Sequence, residues 1–372
     1  MNVYIHGNCQ ALALVELMRE VASETLQIDG RACYQTDLDQ GLQDHIAAVR
    51  SADIIVHQPI SDGYRGVQEL SLGWARENTR PDAILVEFPV IHHSGQMPQI
   101  FTLGEFTGDR MEYHDAHAID YFLRRLPAEA FVADMLSADF LPSDFARSEA
   151  FGATLDLMRR ESISSSGITS ADLIVPRFHR EQPMFTVNHP ARNVLAGVAN
   201  RILAHAYRPE RIAIEGREPL DAIILTPYPS VATALEYSGS GLPLGQVRYA
   251  GEWVDAVSYY GAVFETYQDI GYERVKAAAA GSRGISEYLD RFARAKGTAY
   301  DTDSVLVRQA YSLFLARHPN DDELRDARAF VDERGLTDFL ATFPASEEFV
   351  GAGGFDGLGR RYQANGGRFG PG

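Results

Sequence analysis

Gly7-Asn8-Cys9-Gln10 lies between a run of strand formers, Val3-Tyr4-Ile5, and a run of helix formers from Ala11 to Met18. A thiol in the first turn of a helix meets the positive end of the macrodipole and unpaired N–H groups, and both favour the thiolate. The same N–H groups can hold an oxyanion. In that chemistry Gly7 permits a tight turn, Asn8 caps the helix or donates, Cys9 attacks, and Gln10 donates from the first turn. The commoner fate of a cysteine is to pack as a small buried hydrophobe, and Cys9 is readable that way too.

A thiolate nucleophile needs a base or an imidazolium partner. The chain has 11 histidines. Those at expected strand ends and helix starts are His57, His92, His93, His114, His117 and, within Asn188-His189-Pro190, His189. Guanidinium groups suit phosphate, and Arg65, Arg192 and Arg201 lie near these turns, though each is also readable as a solvated surface arginine. His114 and His117 share one helical face around Asp115, but no HExxH pattern is present, and no metal is expected. HGNCQAL is not a dinucleotide fingerprint, no GxSxG elbow follows a strand, and Ser238–Leu242 reads as a flexible linker.

Composition narrows the classes. The 372 residues suffice for two or three domains. A net charge of −17 repels phosphate backbones, so nucleic-acid binding is not expected. Cys9 and Cys33 are the only cysteines, which excludes a thiolate zinc cluster. Lysine occurs only at 276 and 296, so residues 1–275 cannot supply a Schiff-base or phosphate-loop lysine. No long apolar run and no leader pattern is read, and a cytoplasmic location is expected.

These residues need a scaffold. Strands are expected at 2–6, 31–35, 52–59 and 83–89, alternating with helices at 9–22, 40–50 and 66–77. That order implies an α/β fold with a doubly wound, mainly parallel sheet, whose ligands bind beyond the carboxyl ends of the strands. Residues 90–110 read as a long loop, 113–126 as helix and 127–160 as further helix. At 185–206 a helix is expected with Pro190 in its first turn. The expected divisions are 1–240, a helical extension at 241–300, a small helical unit at 301–352 and a glycine-rich tail at 353–372.

The motifs GNCQ, HQPISDGYRG, FPVIHHSGQMP, YHD and NHP, in that order, resemble the WcbI family of capsular polysaccharide biosynthesis proteins over about residues 1–235. The resemblance implies a flavodoxin/SGNH-like sheet and an acetyltransferase that binds coenzyme A or acetyl-coenzyme A. Carried onto this chain, it marks Cys9, Gln10, Gln58, Arg65, Gly95, Pro98, His114, Asp115 and His189. The chain departs from the family pattern at 92–96, where His92, His93 and Gln96 replace aromatic residues. Residues 303–349 resemble a helical bacterial module, domain of unknown function 4214, which implies an accessory role in docking to polysaccharide assembly proteins.

The expected function is transfer of an acyl group from coenzyme A to a hydroxyl of a bacterial surface polysaccharide or its precursor, with a saccharide acceptor. Cys9, Gln10 and His189 are the expected catalytic residues. Asn8, Gln58, Arg65, His92, His93, His114, Asp115, Asn188 and Arg192 are the expected substrate contacts. A cysteine esterase of the SGNH type and a non-catalytic glycan-binding scaffold remain alternatives.

Overall fold

The computed structural model describes residues 1–24, 26–36, 40–103, 111–206, 208–239, 243–297, 307, 310–311, 314–315, 319–334, 336–344, 346–351 and 354. The chain divides into two compact units, each assembled from three segments: 1–92, 157–174 and 189–220 form the first, and 93–156, 175–188 and 221–372 the second. This differs from the boundary at 240 expected from sequence, because 93–156, 175–188 and 221–240 group with the C-terminal part of the chain.

The first unit is built on a four-stranded sheet of β1 (Asn2–Gly7), β2 (Gln27–Ala32), β3 (Ile54–His57) and β4 (Ile84–Glu87). Their order is β2-β1-β3-β4, and every pairing is parallel. Parallel strands need crossover helices that cover both faces. Accordingly Tyr4 and Ile55 pack on one face against Val49 of α2 (Gln40–Ser51), Ala52 just past its end and Ala75 of α3 (Leu72–Asn78). On the other face α1 (Cys9–Arg19) lies over β1 and β2.

β2 lies four residues earlier than 31–35. The register with β1, Asn2 against Gln27 through Gly7 against Ala32, selects the earlier segment. Gly30 makes that approach possible, since a Cβ there would meet the Ile5 carbonyl oxygen at 2.5 Å. The helix expected at 66–77 begins only at Leu72, where the Ser71 hydroxyl accepts from the Trp74 N–H at 3.1 Å. Before it, Gly63, Arg65 and Gly66 all have positive φ, which breaks the helical path.

In the second unit, β5 (Ile100–Thr102) pairs antiparallel with β6 (Tyr113–Asp115). Part of the expected 90–110 loop and the YHD motif are therefore strand, and α4 (Ala116–Leu123) starts after Asp115. α5 (Ala128–Met135) and α6 (Ser143–Ser162) follow; the last turns of α6 and then α7 (Ala171–Ile174) and α8 (Arg192–His205) belong to the first unit.

Residues 241–300 are not all helical. β8 (Gln246–Tyr249) and β9 (Glu252–Asp255) form a hairpin beside β7 (Ile223–Leu225), turning at Ala250 and Gly251, both with φ > 0. After α9 (Pro229–Ala234) and this hairpin come α10 (Ala256–Ile270), α11 (Tyr272–Gly281) and α12 (Arg283–Gly297). Phe122, Phe131, Tyr260, Phe264, Tyr267 and Tyr288 dominate the core of this unit. Further on lie α13 (Asp321–Arg334), α14 (Leu336–Thr342) and α15 (Glu347–Gly351), with Phe314, Phe343 and Phe349 in ring contact. The glycine-rich tail from 355 and most of the 238–242 linker lie outside the described residues. Among the described residues, no helix is long and apolar enough to cross a membrane.

Candidate functional site

Strand order places a switch point between β1 and β3, where the chain proceeds to opposite sides of the sheet, and ligands of open α/β sheets bind in that crevice. The Gly7–Gln10 turn sits there. Asn8 is the N-cap of α1: its Oδ1 accepts from the Gln10 N–H at 2.9 Å, an arrangement that typically contributes about 1 kcal/mol. With the side-chain oxygen so used, Nδ2 carries the donors, and it has no partner among the described residues. Cys9 follows as the first residue of the helix and is half-buried.

Gln58, just past β3, holds this turn. Its Oε1 accepts from the Asn8 N–H at 2.7 Å, and its Nε2 donates to Gln10 Oε1 at 3.0 Å. Gln10 then binds the backbone of Ile91 in both directions: Nε2 donates to the carbonyl at 2.6 Å and Oε1 accepts from the N–H at 3.1 Å. Both carboxamides are buried. Gly7 leaves room for Gln58, since a Cβ there would lie 2.6 Å from Oε1. Two sequence expectations change here. The N–H groups of Asn8, Gln10 and Ala11 already have acceptors, in Gln58 Oε1, Asn8 Oδ1 and the Asn8 carbonyl, so they are not a ready oxyanion hole. Gln10 and Gln58 spend their polar atoms on positioning the turn.

Neighbouring strand ends add further groups. The Cys33 N–H donates to the Gly7 carbonyl at 2.6 Å, and Cys33 Sγ lies 3.6 Å from the Tyr64 hydroxyl. Burial pushes the Cys33 thiol up, and both cysteines are free. Arg65 reaches back to the Tyr34 carbonyl at 3.4 Å and stacks on Tyr64, while its backbone holds φ 52. It is exposed and makes no ion pair among the described residues. Backbone strain of this kind, in a non-glycine residue, gathers at functional sites.

Beneath the turn, on the α2–α3 face, lie three imidazoles that sequence reading did not group. His6 packs against His45 at 4.2 Å and His57 at 4.9 Å between ring centroids. His45 Nε2 donates to the Glu69 carbonyl and its Nδ1 lies 2.8 Å from the Tyr4 hydroxyl, and burial lowers its pKa. His57 Nδ1 donates to the Gln58 carbonyl. Burial holds His57 down to about 4 and His6 well below the ordinary histidine value. The period of β1 was the available signal, since Tyr4 and His6 share one face.

Two expected arginines are committed to carboxylates elsewhere in the first unit. Arg192 is buried, and its guanidinium binds both carboxylate oxygens of Glu20 and the carbonyls of Ala213 and Arg217. Glu20 is at the end of α1 opposite Cys9, about 16 Å away by helical rise, so Arg192 is an internal ion pair and not a phosphate contact at the turn. Arg201 is paired with Asp172. α8 begins after Pro190, with Ala191 as N-cap and the Glu218 carboxylate accepting from the Arg192 N–H at 2.6 Å. His189 belongs to the first unit, and burial lowers it to about 4, which leaves a neutral imidazole. The carbonyl of His92 accepts from Arg160 in the same unit.

His93, His114, Asp115 and Asn188 belong to the second unit. His93 bridges the Thr154 hydroxyl and the Gly95 N–H, while Gln96 binds the carbonyls of Phe178 and Glu181. Asn188 accepts from the Tyr113 hydroxyl at 2.7 Å. His114 contacts the Tyr267 hydroxyl. Asp115 caps α4 and accepts from the Tyr228 and Tyr260 hydroxyls. Burial raises it to about 6 despite those donors. These are core hydrogen-bond networks of that unit, and among the described residues no cluster could hold a metal ion.

The first unit is thus a parallel α/β sheet with a half-buried cysteine at its switch point, the position where open sheets of this class bind ligands. A family profile described as "Polysaccharide biosynthesis enzyme WcbI" matches residues 2–210, more than half of the chain. The chain belongs to this family. One similar solved structure has a TM-score of 0.65 at 19% identity, over 78% of this chain and 98% of its own. It is described as WcbI, a polysaccharide biosynthesis enzyme, in its native form without a disulfide bond between coenzyme A and a cysteine. No curated protein matches the chain.

Proposed function

We propose that the chain transfers an acyl group from a coenzyme A thioester to a hydroxyl of a bacterial surface saccharide or its precursor, with Cys9 at the reacting centre. The observation that carries this reading is the placement of Cys9: half-buried, first in α1, at the β1/β3 switch point, and held by buried amides that serve only to position it. A description that pairs coenzyme A with a cysteine in a protein of the same fold and family supports the same ligand.

In this mechanism Cys9 Sγ attacks the thioester carbonyl. The carbon–sulfur bond to coenzyme A breaks, and the departing thiolate takes up the proton that the Cys9 thiol gave up. Asn8 Nδ2 donates to the carbonyl oxygen as negative charge develops there. The acceptor hydroxyl then attacks the acyl-Cys9 thioester, the carbon–sulfur bond to Cys9 breaks, and the hydroxyl proton passes to neutral His189 and from it to the freed Cys9 thiolate. Arg65 takes a phosphate of the coenzyme. The helical segments from 307 onward serve as a docking unit for polysaccharide assembly proteins, and the chain works in the cytoplasm.

Calorimetric titration with coenzyme A and acetyl-coenzyme A tests the reading. The expected result is micromolar or tighter binding, weakened by Arg65→Ala, together with an acetyl adduct on the parent chain that Cys9→Ala does not form. An absence of binding overturns it and directs work to ester hydrolysis and glycan scaffolding.

A further inference from the structure

In the second unit, the turn between α4 and α5 faces α10 and the start of α11 across an open groove of about 640 Å³. That volume is within the range of about 300–1,000 Å³ typical of ligand clefts. Phe122 and Phe264, both buried in the core, back the groove, and Leu126 and Pro127 add aliphatic surface. Tyr272 forms one wall and is anchored by its hydroxyl, which donates to the Leu123 carbonyl at 3.0 Å. The rim carries Arg125, Glu129, Glu265 and Gln268. These four side chains are exposed, and none has an ion pair or side-chain hydrogen bond among the described residues.

Arg125 breaks a local rule. The Leu126 N–H donates to the Tyr121 carbonyl at 3.0 Å and the Arg125 N–H to the Phe122 carbonyl at 2.9 Å, closing α4 in a Schellman motif. The left-handed position of that motif favours glycine, yet Arg125 holds it at φ 60. Its guanidinium stands 5.1 Å from the Tyr272 ring centroid, at the groove. A strained backbone that keeps a charged side chain in a cleft points to a ligand contact.

We propose that this groove binds a neutral, hydroxyl-rich oligosaccharide. A sugar offers C–H surface to Tyr272, Leu126 and Pro127 and vicinal hydroxyls to planar carboxylate, guanidinium and carboxamide groups, which together accept and donate in pairs. The rim holds one cation and two carboxylates on a chain of net charge −17, so it disfavours a polyanionic glycan. The choice of a saccharide rests on the function proposed above; the groove itself stands on its geometry.

The test uses the full chain on an array of neutral hexose and N-acetylhexosamine di- and trisaccharides, with uronic-acid counterparts, followed by ligand-observed NMR titration of the strongest hit. A neutral saccharide is expected to bind, at least tenfold more weakly to Arg125→Gly and to Gln268→Ala. Arg125→Gly is expected to melt at or above the parent temperature, because glycine relieves the left-handed residue, so weaker binding cannot reflect misfolding. Binding that both variants leave unchanged, or a preference for the uronic-acid ligands, overturns the assignment. Absence of saccharide binding in a chain that still binds acetyl-coenzyme A overturns the groove alone; absence of both overturns the transferase reading as well.

Discussion

The Gln58 carboxamide donates to that of Gln10 at 3.0 Å, tying the end of β3 to the first turn of α1 beneath Cys9. Gln58→Ala leaves the Asn8 N–H without its acceptor and removes one of the two donors to Gln10 Oε1, and is expected to lower stability by about 1–3 kcal/mol. Gly7→Ala drives a Cβ to 2.6 Å from Gln58 Oε1 and is expected to cost a similar amount. Because both act through one contact, the double variant is expected to lose clearly less than the sum. Chemical denaturation of the four chains measures this coupling.

Asn8 separates folding from chemistry. Asn8→Asp keeps an oxygen to accept the Gln10 N–H, and Asp caps helices about as well as Asn. It removes the Nδ2 donor. The melting temperature is expected to stay within a few degrees while kcat falls about 100-fold, the usual effect of losing one oxyanion donor. An Asn8→Asp chain of unchanged kcat would remove Asn8 from the mechanism.

The two thiols differ in access. Cys9 is half-buried, whereas Cys33 is buried with its thiol pushed up by burial. Limiting iodoacetamide is expected to label Cys9 first, read by peptide mass spectrometry, since the thiolate is the reactive form. Coenzyme A added beforehand is expected to slow that labelling.

Acid is expected to destabilise the chain. In the folded state His6 is held well below 6.5 and His57 at about 4, while unfolded histidines titrate near 6.5. The unfolded chain therefore binds more protons between pH 6.5 and 4, so stability is present above that window and lost as pH falls through it. His114 and His117, at about 4 and about 3, act in the same direction. Asp115, raised from 3.8 to about 6, acts oppositely, losing stability as pH rises across that interval. The histidines prevail by number. Thermal midpoints from pH 8 to 5 are expected to fall, more shallowly in His57→Gln.

Glu20 neutralises a buried guanidinium. Glu20→Ala leaves Arg192 with backbone carbonyls and the more distant Glu218 and Glu16, and a loss of about 1–3 kcal/mol is expected, discounted because Glu20 is itself 41% exposed. Urea titration checks it. No change in acetyl-coenzyme A affinity is expected.

Alternation of strand and helix signals to residue 90 made the parallel sheet legible, because hydrophobic periodicity and crossover length are local properties. The GNCQ turn was legible for the same reason. The 246–255 hairpin was not: its turn is Ala250-Gly251, and alanine in a left-handed conformation gives none of the Asn-Gly or Asp-Gly signal that marks such turns. β2 was misplaced because register against β1 chose Gln27–Ala32. Roles assigned to Gln10 and Arg192 changed because their partners, Ile91 and Glu20, lie 81 and 172 residues away in sequence. A polar residue beside a motif looks the same whether it faces a ligand or a distant backbone.

The interleaving of the two units governs how the chain must emerge during synthesis. The sheet is complete by residue 87, but α8, which packs on α1 and carries Arg192 to Glu20, ends at residue 205. At about 5–20 residues per second, the nascent sheet waits on the order of ten seconds for that cover. During that interval the apolar side of α1 stands bare while much of the second unit passes through the exit tunnel. Neither unit can be recovered by trimming the chain at one end, and a ribosome stalled between 92 and 189 would present a sheet still missing that cover.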